Sequence, residues 1–161
     1  MKKILMMALV ALAVCGASFA KTFVIDVADS TNGTVISIKK NPYAPGHQNE
    51  KPADVTPYFA NIQPVPGDTI EVHYNFTSNV DLEWLTMAVI DNCEAAKWWG
   101  EISNEYKGVG DIKAGVPCSG VITYKVTKKP IKNVTVMFMY DKAIDSVLKL
   151  SKSGVKTGLK G

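Results

Sequence analysis

No arginine occurs anywhere in the 161 residues, which removes the planar guanidinium fork used for bidentate recognition of phosphate and guanine. An excess of one charge is missing too. From Lys21 onward sixteen lysines face fifteen Asp and Glu, so the basic stripe of a nucleic-acid binder is absent and no nucleic-acid partner is expected. Histidine is scarce. His47 falls in a Pro/Gly loop and His73 on the polar side of a strand pattern, too little convergence for a zinc site. GxSxG, HExxH, CxxC and Walker patterns are all lacking. Gly108-Val109-Gly110 with Gly115 leads into Pro117-Cys118 and a strand rather than a helix, so it is not read as a phosphate loop. No catalytic activity is expected.

Long apolar runs are also wanting. The longest, Ile4 to Val14, is far short of the ~20 residues that span a bilayer. It follows Lys2-Lys3 and leads to Ser18-Phe19-Ala20, the three-part pattern of a secretory signal peptide with a bacterial look. Residues 1–20 are therefore read as an export signal, and the destination as periplasm or extracellular space. A lipoprotein reading at Leu12-Ala13-Val14-Cys15 is disfavoured because Val14 is large where such signals want a small residue. The mature chain then runs from Lys21, with no transmembrane segment, as a single domain over 21–151 and a flexible Lys/Gly/Ser tail over 152–161.

Export alters the meaning of the few cysteines. With Cys15 removed, Cys93 and Cys118 form an even pair in an oxidising compartment, and a disulfide between them is expected.

What the chain does have is short alternating runs. Thr22 to Ala28 and Thr34 to Ile38 flank Asn32-Gly33, the pattern of a hairpin whose turn needs positive φ. Residues 41–66 are rich in proline and read as a covering loop. Thr69 to Thr77 is the clearest strand, with Ile70, Val72, Tyr74 and Phe76 on one face and Glu71, His73 and Asn75 on the other. Leu82 to Ile90 is apolar on both faces and so should be covered on both. Gly120–Val126, Ile131–Tyr140 and Val147–Leu150 complete the set. About seven short strands with almost no helical periodicity predict an all-β fold, a two-sheet antiparallel β-sandwich. The long loops favour a jelly-roll-like path, and an immunoglobulin-like sandwich is the alternative.

Inside the expected bridge, Asn92 to Gly100 is the one plausible short helix, with Asn92 as cap and Gly100 as stop. Trp98 and Trp99 are adjacent, and neighbours on a helix or strand point in different directions. One should anchor the loop while the other lies near the surface. An exposed indole on a rigid loop suits the apolar C–H faces of sugar rings, with Asn92, Glu94, Glu101, Asn104 and Tyr106 as polar partners. Trp84 sits on a strand and is expected in the core, unless its ring lies on a concave sheet face, where it would join the site.

The run Gly67 to Thr77, followed by Trp84 to Asp91 and by Trp98-Trp99-Gly100-Glu101-Ile102-Ser103, resembles the middle of jelly-roll carbohydrate-binding modules with a galactose-binding-like fold. The resemblance implies a glycan or small-molecule site and, in some members, a structural calcium. Asp91, Asp141 and Asp145 are the carboxylates near strand ends that would serve such an ion; no other cofactor is expected.

The expectation is thus a secreted, non-catalytic carbohydrate-binding module with ligand contacts from Trp98, Trp99, Tyr106, Glu101, Asn104 and Trp84, its partner a glycan or polysaccharide. An envelope protein-interaction or structural module is the alternative, with the tryptophans as hot spots for a protein partner. A small glycoside hydrolase working through paired carboxylates is the third reading.

Overall fold

A computed structural model describes residues 19–30, 34–40, 46–49, 62–91, 101–132, 134–142 and 144–161. Its strands are β1 (Thr22–Asp26), β2 (Val35–Lys40), β3 (His47–Asn49), β4 (Thr69–Ser78), β5 (Leu82–Asp91), β6 (Lys107–Ile112), β7 (Cys118–Lys125), β8 (Val134–Tyr140), β9 (Ser146–Leu150) and β10 (Gly158–Leu159). One short helix, α1 (Val27–Ser30), follows β1. Among the described residues no helix is long and apolar enough to cross a membrane.

The hydrogen-bonded path runs β10-β1-β4-β9-β2-β3-β8-β5-β6, with β7 on the other edge of β4. One layer is centred on β4 and the other on β5 and β8, with β9 and β2 carrying the path between them. It is a β-sandwich and not a closed barrel.

Alternation explains the core. Ile70, Val72, Tyr74 and Phe76 of β4 are buried, while Glu71, His73 and Asn75 between them are half-buried. The Phe76 ring meets that of Phe138 on β8 edge-on, 5.6 Å between centroids at 82°. Strand β5 is covered on both sides, as its sequence requires. Leu85, Met87 and Val89 join the main core, and Ala88 and Ile90 form a second small cluster with Met137.

Tyr124 of β7 ties the layers together. Its fully buried hydroxyl donates to the Met87 carbonyl at 2.8 Å, and burial, followed by the nearby Glu105 charge and Tyr74, pushes its phenol well above the usual 10.0. A raised pKa means that the folded state favours the neutral phenol. Its stabilising contribution is complete below the unfolded value near 10 and falls away as the pH rises above it. In an alkaline absorbance titration Tyr124 is therefore expected to form phenolate only together with loss of the β-sheet signal. A phenolate signal equal to all six tyrosines before unfolding would contradict its burial.

Three expectations are corrected here. β1 does not form a hairpin with β2; it pairs parallel with β4 and antiparallel with β10, while β2 pairs with β3 and β9. Asn32-Gly33 lies outside the described residues. The sandwich is consequently not purely antiparallel. The segment 152–161, expected to be flexible, is docked. Gly158–Leu159 adds to β1, Lys160 pairs with Glu71 at 2.7 Å, and the Ser153 N–H donates to the fully buried Asp26 carboxylate at 2.8 Å.

A candidate ligand platform on β5 and β6

Strand β5 carries an irregularity between Leu82 and Thr86, where its register with β6 shifts. Trp84 sits inside it with φ +55°, the one positive-φ non-glycine among the described residues. That left-handed conformation costs about 1–3 kcal/mol and persists only where the surroundings impose it. Here the Trp84 N–H donates to Asp111 Oδ1 at 3.2 Å. The rotation takes the indole out of the core, so that Trp84 is 65% exposed and belongs with the surface alternative raised from the sequence.

The ring has a seat. A Cβ added to Gly108 of β6 would lie 2.2 Å from Trp84 Cε2 and 2.5 Å from Cζ2 and Nε1, so only glycine leaves room for the indole against the strand. Val109 packs on the core, which places Tyr106 and Gly108 on the opposite, outer face. Gly110, at φ +101°, then resets the alternation so that Asp111 is exposed and Ile112 is buried. Tyr106, two residues from Gly108 and so about 7 Å along the strand, is 44% exposed. Its hydroxyl donates to Glu101 Oε1, and Glu101 is itself bridged to Ile90 of β5.

The structure thus brings Trp84, Tyr106 and Glu101 into one row along β5–β6. Asn104 is elsewhere, its Oδ1 3.5 Å from Thr127 Oγ1 in the loop after β7. Trp98 and Trp99, with Asn92, Glu94 and the expected short helix, lie outside the described residues. Gly108 and Asp111 are the members that sequence reading missed. The available signal was a glycine within a strand, which often marks a close approach to its surface.

The neighbouring carboxylates differ in availability. Glu105 is held below the usual carboxylate range, first by the Lys125 N–H and then by Lys107; its oxygens also receive Ser103 Oγ. Glu101 keeps Oε2 beyond its bond with Tyr106, and Asp111 keeps Oδ2 beyond its bond with Trp84, as hydrogen-bond acceptors facing solvent. Flat aromatic surface with such acceptors beside it can bind a ligand with an apolar face and peripheral hydroxyls.

Of the two cysteines expected to form a bridge, only Cys118 belongs to the described residues. Cys118 opens β7 opposite Phe76, near where the Gly115 N–H meets the Ser78 carbonyl at 2.8 Å. Asp91 closes β5 at the other end of the sandwich, beside the Ile90–Glu101 bridge. With Tyr124 on Met87 as the common mark, Cys118 lies six residues in one direction and Asp91 four in the other, about 25–30 Å apart at strand spacing. Cys118 is a free, half-buried thiol, and Cys93 itself lies outside the described residues.

The calcium candidates do not converge either. Asp91 is buried at one end of β8, across from Val134, where it accepts the N–H groups of Ile131 and Lys132. Asp141 follows Tyr140 at the other end of β8, about 20 Å away at strand spacing. Among the described residues no group of three or more His, Cys, Asp or Glu gathers around a point.

No family model matches the sequence, and no curated protein matches it. Among solved structures, the chain is similar to one described as "CBM4 structure and function", with 14% identity over 79% of this chain and 94% of that chain and a TM-score of 0.40.

Proposed function

We propose that this chain is an exported, non-catalytic carbohydrate-binding module that stacks sugar rings on its β5–β6 face. The observation that carries the reading is Trp84, held at positive φ with most of its indole in solvent and seated over Gly108. A tryptophan usually gains from burial; holding one outward in a strained conformation fits a surface kept ready for a ligand. Tyr106 extends the aromatic surface, and Glu101 and Asp111 accept hydroxyls at its margin. Trp98 and Trp99 remain part of the proposal as further stacking groups. Export rests on the Lys2-Lys3 start, the Ile4–Val14 run and the small residue Ala20.

Affinity electrophoresis against a panel of neutral polysaccharides is the direct test. Retardation is expected on at least one glycan, and Trp84→Ala should weaken it about 30-fold, as for an aromatic residue carrying ~2 kcal/mol of binding. Tyr106→Ala should cost a smaller factor. No retardation on any glycan, or retardation unchanged in Trp84→Ala, Trp98→Ala and Trp99→Ala alike, would overturn the proposal.

A further inference from the structure

Asp68 is a buried carboxylate just before β4, 4% exposed. Oδ1 accepts the Lys21 backbone N–H at 2.9 Å, and Oδ2 accepts the Val65 N–H at 2.9 Å. Lys21 is held from its other side as well, because its carbonyl accepts the Thr69 N–H at 2.9 Å. The two described residues before it are not held in this way: Phe19 is 86% exposed, and Ala20 is exposed too. Among the described residues, the first nitrogen fixed in this way is therefore that of Lys21, the residue that follows the small–x–small signal at Ala20.

We infer that Asp68 is a receptor for the α-ammonium group that cleavage between Ala20 and Lys21 creates. The inference rests on the export reading above. Hydrolysis of that peptide bond consumes one water, leaves a carboxylate on Ala20 and releases the Lys21 nitrogen as an amine, which is protonated at neutral pH. The same atom that donates to Asp68 as a neutral amide then donates as a cation, so that a bond in which only the acceptor is charged becomes one in which both partners are, with Coulomb attraction added. The carboxylate is already desolvated in the uncleaved chain, so the usual penalty of burying it is not incurred again. The new charge lies at the exposed residue Lys21. Removal of the leader thus strengthens the clasp that holds β1 against β4.

Among the described residues, the other charged groups around this corner are Lys125, which faces Thr69 across the β4–β7 pair, and Glu71 with Lys160 and His73 further along β4. They are the same whatever the chain's N-terminus, so a comparison of N-termini isolates the Asp68 contact.

The test compares chains beginning at Lys21 with a free α-amine and with an acetylated one; each retains all ten strands, the first of which begins at Thr22. At pH 6 the free-amine form is expected to melt about 4 °C higher. An amine stabilised in its charged state has a raised pKa, so the advantage should be complete below the ordinary value near 8 and vanish as the pH passes above the raised one. Asp68→Asn should abolish the difference. If that variant does not fold, the rate of α-amine acylation at pH 7 serves instead, expected about tenfold slower than in unfolded chain. Equal melting of the two forms, or an α-amine as reactive as in unfolded chain, overturns the inference. N-terminal sequencing of the exported protein tests the export reading separately, since a start elsewhere would sink that reading and leave the measured Asp68 contact standing.

Discussion

Phe76→Ala is expected to destabilise the protein by about 4 kcal/mol and, for a chain of this size, to lower Tm by roughly 12–16 °C. Phe76 is fully buried on β4, the strand that pairs with β1 and β9 on one edge and with β7 on the other. Its ring touches Phe138 at 5.6 Å and Tyr74 at 5.8 Å between centroids. Removing it leaves a cavity between the two layers, because a mainchain hydrogen-bonded on both edges cannot close over the gap. Val121→Ala is the control. Val121 lies on the adjacent β7 but is 52% exposed, and its loss should stay within about 0.5 kcal/mol. Melts of the two variants read this directly. A Phe76→Ala protein that melts with the control would mean that the layers do not meet at this ring.

How much of this was legible follows from the range of the interactions involved. The strand pattern at 69–77 gave both the extent and the facing of β4, because alternation is a local consequence of the pleat. Apolar residues on both faces of 82–90 likewise gave a doubly covered β5. Pairing is not local. β1 finds β4 more than forty residues on, and Gly158–Leu159 returns across the whole chain to β1, so the Asn32-Gly33 hairpin and the flexible tail were misread. Of the residues named from the sequence as ligand contacts, Tyr106 and Glu101 come together, whereas Asn104 is set apart. Trp84 was harder. Its place within an apolar run argues for the core, and only the shifted register with β6 and the positive φ turn it outward.

Gly108→Ala is expected to weaken glycan binding as much as Trp84→Ala, about 30-fold, while leaving stability unchanged within about 0.5 kcal/mol. The two effects separate because they have different causes. Gly108 does not require positive φ, so alanine fits its backbone, and replacing a strand glycine reduces the freedom of the unfolded chain. Its Cβ, however, would sit 2.2 Å from the Trp84 ring, a distance no pair of carbon atoms tolerates. The indole is 65% exposed and can swing away at little energetic cost, which spares the fold but removes the flat surface from its position beside Tyr106. The order of a pre-set platform is what lowers the cost of binding, so a displaced ring should lose about as much affinity as a deleted one. Titration calorimetry with the glycan that retards the wild type, alongside thermal melts, measures both quantities. Retained affinity in Gly108→Ala would show that the indole binds without its seat, and the role assigned to the strained Trp84 would fall with it. Loss of affinity together with a large fall in Tm would show instead that Gly108 serves the fold, and the separation argued here would fail.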